Sequence, residues 1–272
     1  MQYRTLGRTG LQVSAVSMGT WKSFDVHGQS SVDHVYQLVT EALRGGVTLF
    51  DTAPMYGEAE RVLGLALRGR REGVSVATKV LAHDRRSAQA QIEESFRKLQ
   101  VDVIDLMQIH NMTGWQAVTP VLEQYKTKGR IGFLGITDYR TSMFPEMMRA
   151  MRTGVFDTIQ IPYNLGDREA EREILPLAKE LNLGVLAMTP LCPIFDRGRL
   201  LRALQRQDLS FLRRYGITTP GQALLKYLLA NPKVSTLLPA TSKLERVREN
   251  TTVADGPVLP QSELHRLEGM LR

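Results

Sequence analysis

The sequence predicts a (β/α)8 TIM barrel with an N-terminal β-hairpin and a short C-terminal helical tail, and three observations carry that expectation. Short β-favouring runs alternate with amphipathic helical stretches through eight repeats of roughly 25–35 residues. The strands are near-continuously apolar, as strands covered on both faces by helices are. Three successive strands run into Asp51, Lys79 and His110, and barrels of this kind carry their chemistry at the C-terminal ends of the strands. An open doubly wound sheet would want a glycine fingerprint after its first strand, which Gly19-Thr20-Trp21 does not supply. The chain has 272 residues, enough for one core burying roughly three quarters of the unfolded surface. No linker or low-complexity stretch divides it, so residues 1–272 read as one domain.

The elements follow in order. Residues 2–6 and 11–14, about a turn at Gly7-Arg8-Thr9-Gly10, predict the hairpin. Strand 1 covers about 14–20. A helix near 31–45, with Val35, Leu38, Val39, Ala42 and Leu43 on one face, leads to strand 2 at 47–51. Helices at 58–69, 87–99 and 115–128 precede strands at 74–79, 104–110 and 131–136. A helix at 142–153, entered through Pro145, precedes strand 6 at 158–161, and one at 168–181 precedes strand 7 at 184–188. Residues 191–218 break the rhythm and predict a long loop with short helical pieces. Thr219-Pro220 reads as an N-cap and first helical position. That helix runs to about Ala230, strand 8 covers 234–238, and helices at 243–251 and 261–271 close the chain.

Composition narrows the function classes. With 35 Lys plus Arg against 28 Asp plus Glu, the formal charge is +7, modest and spread out. The densest basic cluster, Arg68-Gly69-Arg70-Arg71, fits a solvated helix end better than a nucleic-acid patch, while a small positive bias suits an anionic ligand. Cys192 is the one cysteine, so neither a disulfide framework nor a four-ligand zinc site is expected, and a cytoplasmic protein is expected. The opening residues do not read as a secretory signal and no apolar run reaches spanning length, so no membrane partner is expected. His27, His34, His83 and His265 lack ligand spacing, so no metal is expected.

The chemistry centres on Phe50-Asp51-Thr52-Ala53-Pro54-Met55-Tyr56-Gly57, an apolar run ending in a carboxylate with a phenol five residues on. Lys79 is expected beside both. An ammonium about 4 Å from a phenol interacts by about 4 kcal/mol at an effective dielectric of 20. That would lower the phenol's pKa by roughly three units and make it a proton donor or acceptor near neutrality. Asp51 would keep Lys79 charged, and His110 could hydrogen-bond a carbonyl oxygen. Singly, each residue reads more simply as a structural ion pair, a satisfied polar histidine or a packed tyrosine. Together, at consecutive strand ends, they read as a site.

These motifs resemble those of the aldo-keto reductase superfamily, over essentially the whole chain. Tyr3-Arg4-Thr5-Leu6-Gly7-Arg8-Thr9-Gly10-Leu11 is similar to that family's hairpin, the Asp51–Tyr56 segment to its most specific motif, and Ala77-Thr78-Lys79 and Gln108-Ile109-His110-Asn111 to two others. The resemblance implies hydride transfer from NADPH to an aldehyde or ketone. Tyr56 would be the proton donor, Lys79 and Asp51 its tuning pair, and His110 the residue that orients the carbonyl. It further implies a nicotinamide end at Gly19, Thr20, Trp21, Thr137, Asp138, Gln160, Met188, Thr189 and Leu191. Asp138 stands where the family often has Asn, and Met188 where many members stack a Tyr. The adenosine-phosphate end would be Pro239, Ala240, Thr241, Ser242, Lys243, Arg246, Glu249 and Asn250, at a helix N-terminus suited to anions. Ser242-x-x-Glu245 also reads as a capping box. NADPH is favoured over NADH because Thr241, Ser242, Lys243 and Arg246 can hold a 2′-phosphate. Trp21 and Trp115 are candidate substrate walls with Tyr56 and His110, Trp115 equally a packing residue. Cys192 is placed near the mouth as an inert thiol.

Two other readings compete. Lys79 could form a Schiff base on the same barrel, or the chain could be an NADPH-binding sensor or partner subunit. A monomer or weak homo-oligomer acting on a small carbonyl compound is expected. The short tail after residue 250 predicts an open pocket without a C-terminal lid, with 191–218 as its substitute cover.

Overall fold

The computed structural model describes residues 1–193 and 195–271. Strands β1 (Tyr3–Thr5) and β2 (Gln12–Ser14) pair antiparallel as the expected hairpin. The barrel strands are β3 (Met18–Gly19), β4 (Leu49–Asp51), β5 (Ser75–Val80), β6 (Ile104–Ile109), β7 (Ile131–Thr137), β8 (Thr158–Pro162), β9 (Gly184–Met188) and β10 (Thr236–Leu238). Each pairs in parallel with the next, and bridges Val16–Leu237 and Gly19–Ala240 join the last to the first. Closure leaves no free sheet edge. Strands 1 and 8 are shorter than the sequence suggests, because Ala15–Ser17 meet β10 through isolated bridges and single bonds, and strand 2 starts only at Leu49, since the Thr48 N–H donates to the Ser14 hydroxyl at 3.1 Å.

The outer layer is α1 (Gln29–Arg44), α2 (Ala59–Leu67), α3 (Arg85–Leu99), α4 (Trp115–Thr127), α5 (Phe144–Met151), α6 (Ile174–Glu180), α7 (Arg199–Gln205), α8 (Pro220–Leu229), α9 (Leu244–Thr252) and α10 (Gln261–Gly269). The helix expected over 168–181 breaks in two. A 3-10 turn at Glu169–Glu171 is followed by α6, whose N-cap Glu173 provides no side-chain cap. Thr219 caps α8 as expected, with Gln222 completing a capping box. The box expected at Ser242–Glu245 does not form. The N-cap of α9 is Lys243, with no side-chain cap bond, and the Ser242 carbonyl meets His34 Nε2 at 2.7 Å. No helix among the described residues is long and apolar enough to cross a membrane.

Barrel interiors read with a period of two. Leu49, Ala77, Leu106 and Leu186 form an apolar layer beneath Leu6 and Val13 of the hairpin, which stoppers the N-terminal end. Two residues further along β4, β5 and β6, and on β8, the layer turns polar, with Asp51, Lys79, Gln108 and Gln160 all buried. Val76, Val80, Met107, Ile109, Ile159 and Ile161, on the alternate positions, join the core between barrel and helices. The change from apolar to polar layer within one pleat repeat marks the working end of the barrel.

Candidate active site

Asp51 is the last residue of β4, so its side chain projects inward at the barrel's C-terminal rim. The loop beyond turns on Gly57, whose φ of +61° suits glycine, and an added Cβ there would lie 2.1 Å from an Asp25 oxygen. Asp25 also accepts the Glu58 N–H at 3.0 Å, which ties this loop to the one after β3 and fixes Tyr56 above the rim. Lys79 lies inside β5 and is 1% exposed. Its ammonium donates to both Asp51 oxygens and to the Thr52 carbonyl, each at 2.8 Å. It also sits 5.1 Å from the centre of the Tyr56 ring. His110 follows β6, edge-on to Tyr56 with ring centres 6.0 Å apart. The next two residues, Asn111 and Met112, both hold left-handed φ of 54°, a strained turn of the kind found at working sites.

The electrostatics differ from the sequence expectation at one point. Burial pushes the Tyr56 phenol above the ordinary tyrosine value, and the opposing pull of Lys79 does not undo it. The simple Coulomb argument omitted desolvation, which acts on the phenolate more strongly than the lysine does, and the nearby Asp51 charge, which adds to it. Burial alone would also pull the Lys79 ammonium down, but Asp51 and Tyr56 facing it more than offset that and hold it above the usual lysine value. Burial, reinforced by Lys79, depresses His110 to about 3. The imidazole is therefore neutral and offers one N–H donor, and its Nδ1 is buried without a partner.

These groups form the floor of a cleft of about 610 Å³. Gly19, Thr20, Trp21, Thr137, Gln160, Met188, Thr189, Leu191, Pro239 and Ala240 line it together with Asp51, Tyr56, Lys79 and His110. A second cavity of about 330 Å³ shares Leu191, Leu201 and Ala240 with the first and continues along Thr241, Arg246, Glu249 and Asn250. The two make one trough, running from the barrel mouth to the start of α9. Ser242 and Lys243 lie exposed beside its far end rather than on its wall.

Two further expected residues fall outside the trough. Asp138 is fully buried, and the Arg140 fork holds its two oxygens at 2.9 and 2.7 Å, so it has no face toward the cleft. Trp115 opens α4, donates Nε1–H to Glu146 at 2.7 Å and packs edge-on against Phe156. Its packing reading holds, and it forms no wall of the cleft. Met55, Asn111, Tyr139 and Phe195 do line the mouth, with Phe195 against Tyr139 at 6.5 Å. Met55, Asn111 and Tyr139 each directly follow a residue of the segments that carry the site, and Phe195 lies in the 191–218 segment that breaks the β-α rhythm. Cys192 also lines the cleft, its thiol pushed up by burial. No residue of 255–271 lines it. Among the described residues no group of three His, Cys, Asp or Glu side chains could hold a metal ion.

The chain is similar to known proteins in sequence and in fold. The aldo/keto reductase family matches residues 15–272. Aldo-keto reductase YhdN of Bacillus subtilis (strain 168) is 30% identical over 210 residues, spanning 71% of this chain and 62% of that one. L-galactose dehydrogenase of Arabidopsis thaliana is 28% identical, spanning 100% of this chain and 94% of that one. A crystal structure of an aldo-keto reductase from Klebsiella pneumoniae in complex with NADPH superposes with a TM-score of 0.84 at 29% identity, covering 99% of this chain and 95% of that one. A second from the same organism, in complex with NADP and acetate, gives 0.85 at 27% identity, with the same coverage. With a closed parallel barrel, a carboxylate–ammonium–phenol–imidazole group at its mouth and a sequence match over nearly its whole length, the chain belongs to the aldo/keto reductase family and is an oxidoreductase.

Proposed function

We propose that the protein is an NADPH-dependent reductase of small aldehydes and ketones, with Tyr56 as proton donor. The observation that carries this reading is the buried Asp51–Lys79 pair set against the Tyr56 ring at the floor of a trough. The trough's contents fit a dinucleotide. Thr20 Oγ1 and Thr189 Oγ1 are buried polar atoms without partners on its wall at the barrel end. Arg246 stands at the other end, beside the N-terminus of α9. The two Klebsiella pneumoniae neighbours are complexes with NADPH and with NADP.

Gln160, Thr137 and Met188 would hold the nicotinamide end, and Thr241, Arg246, Glu249 and Asn250 the adenosine end. NADPH supplies the hydride when bound. Neutral His110 donates its N–H to the carbonyl oxygen and orients it. Tyr56 then gives that oxygen its proton as negative charge develops there. Lys79, held charged by Asp51, stabilises the phenolate left behind. Trp21, Met55, Tyr139 and Phe195 give the substrate an apolar, largely aromatic wall, suited to neutral carbonyl compounds with apolar or aromatic bodies. The same reading takes residues 1–272 as one domain, a monomer or weak homo-oligomer in the cytoplasm, with NADPH preferred to NADH.

A Schiff-base role for Lys79 fits less well. An amine must be neutral to attack a carbonyl, and this one is kept charged by bonds to Asp51 and Thr52. The deciding experiment is Tyr56→Phe. Carbonyl-dependent NADPH oxidation should fall at least about 100-fold while NADPH affinity, read by nicotinamide fluorescence, holds. Unchanged turnover would reject the assignment.

A further inference from the structure

Gln108 is fully buried, lines neither cavity, and so touches neither cofactor nor substrate. Its Nε2 nevertheless reaches both halves of the site. It donates to Asp51 Oδ1 at 3.2 Å and to Gln160 Oε1 at 2.8 Å. Gln160 Nε2 in turn donates to Asp51 Oδ2 at 3.2 Å. The three side chains close a ring of hydrogen bonds across β4, β6 and β8.

The orientation of both amides follows from charge. An amide oxygen and amide nitrogen are hard to tell apart by shape. Here Asp51, ionised against Lys79, only accepts, so each glutamine must turn its NH2 to it. Gln108 then spends one N–H on Asp51 and the other on Gln160. Gln160 is left with its second N–H as the donor it can present toward the cleft that it lines. The missing side chain of Gly135 on β7 leaves room for this. Gly135 sits opposite, where an added Cβ would lie 2.9 Å from Gln108 Cγ and 2.4 Å from Thr158 Oγ1.

From this geometry we propose that Gln108 is a positioning residue that fixes the Gln160 amide as a hydrogen-bond donor to the cofactor and couples it to the Asp51–Lys79 pair. The inference rests on the reductase reading for the identity of the cofactor. Without Gln108 the Gln160 amide can rotate, and Asp51 keeps one amide donor of two. At the nicotinamide end this donor would be presented to a carboxamide oxygen, so the first effect of losing Gln108 falls on cofactor binding.

The test compares wild type with Gln108→Met and Gln108→Glu, by NADPH fluorescence titration from about pH 5 to 8 and by thermal unfolding. Gln108→Met has similar length and no donor, and should weaken NADPH about tenfold or more. Gln108→Glu keeps the shape, but its carboxyl can donate only while protonated. The charged groups facing it are Lys79, its cross-strand neighbour on β5, and Asp51 from β4. Gly135, Thr158 and Gln160 from β7 and β8 do not titrate. Relative to wild type, Gln108→Glu should therefore lose NADPH affinity as pH rises. A merely structural glutamine would lower the melting temperature of both variants without that pH dependence. Wild-type NADPH affinity in Gln108→Met overturns the proposal, as does a Gln108→Glu profile parallel to wild type. Should Gln108→Met fail to fold, the Gln108→Glu titration still decides. Tyr56→Phe, run alongside, keeps failure of the reductase reading separate, because it changes turnover and not binding.

Discussion

The two ends of the trough are built on opposite principles. At the barrel end the charged groups are dry and pinned. Lys79 and Asp51 are 1% and 3% exposed, and Asp51 receives hydrogen bonds from an ammonium and two amides. At the far end, Arg246 is exposed and paired with Glu249 three residues on, and α9 begins without a side-chain cap. In the low-dielectric interior, charges interact strongly and misplacement is costly. At the rim, solvent and salt screen the same kinds of charge. Chemistry that depends on one proton position belongs at the first end, and tethering a flexible phosphate-bearing tail belongs at the second.

Breaking the dry end should have the largest effect. Lys79→Met leaves the Asp51 carboxylate buried with no countercharge, and removal of one partner of a buried pair costs about 3–5 kcal/mol. Urea unfolding should show that loss together with at least about a 100-fold fall in turnover. A stability change under 1 kcal/mol would mean that Asp51 is solvated in a way this structure does not show.

His110 gives the next effect, through pH. Its folded value of about 3 lies well below the ordinary histidine value near 6.5. Between those values the unfolded chain binds a proton that the folded chain does not, so stability rises with pH across that window and is lost as pH falls. From pH 6.5 to 5 this amounts to about 2 kcal/mol. His110→Gln should remove that part of the slope while reducing turnover. An unchanged slope would place the imidazole in water. The raised Tyr56 phenol has its own signature. The donor stays protonated below its pKa, so carbonyl reduction should not decline as pH rises through neutrality. A decline centred near pH 7 would restore the lysine-dominated picture.

At the wet end, Arg246→Ala should weaken NADPH about five- to tenfold, leave NADH binding nearly unchanged, and lose its effect as salt rises. Equal losses for both cofactors would show that Arg246 supports α9 rather than a 2′-phosphate.

What was legible in the sequence divides along the same line. The barrel, the hairpin and the Asp51–Tyr56–Lys79–His110 group could be read because each depends on local order: strand runs, a turn at Gly57, and charges at strand ends. Gln108 could not, although it sits in Ile104-Asp105-Leu106-Met107-Gln108-Ile109 in phase with inward-facing Leu106. One amide in an apolar strand carries no signal until β4 and β8 are known to face it. Asp138 misled for the complementary reason. It follows the right strand, but Arg140, two residues on, takes both its oxygens, and rotamer choice is not written in spacing. The sign of the Tyr56 shift needed burial, which only the closed barrel supplies.

The smallest predicted effect tests where the site stops. Trp21 and Trp115 are alike in the sequence as candidate walls, but the structure separates them. Trp21 is 43% exposed at the cleft mouth, with Lys22 over its ring, whereas Trp115 is held by Glu146 and Phe156 at the head of α4. Trp115→Phe keeps the aromatic contact and loses one charge-assisted hydrogen bond, so it should cost about 1–2 kcal/mol of stability and leave kcat and KM within about twofold. Trp21→Ala opens the wall and should raise KM for an aromatic aldehyde several-fold with little change in melting temperature. If Trp115→Phe moved KM instead, the substrate would have to reach past Asn111 toward α4, and the cleft would extend beyond the wall seen here.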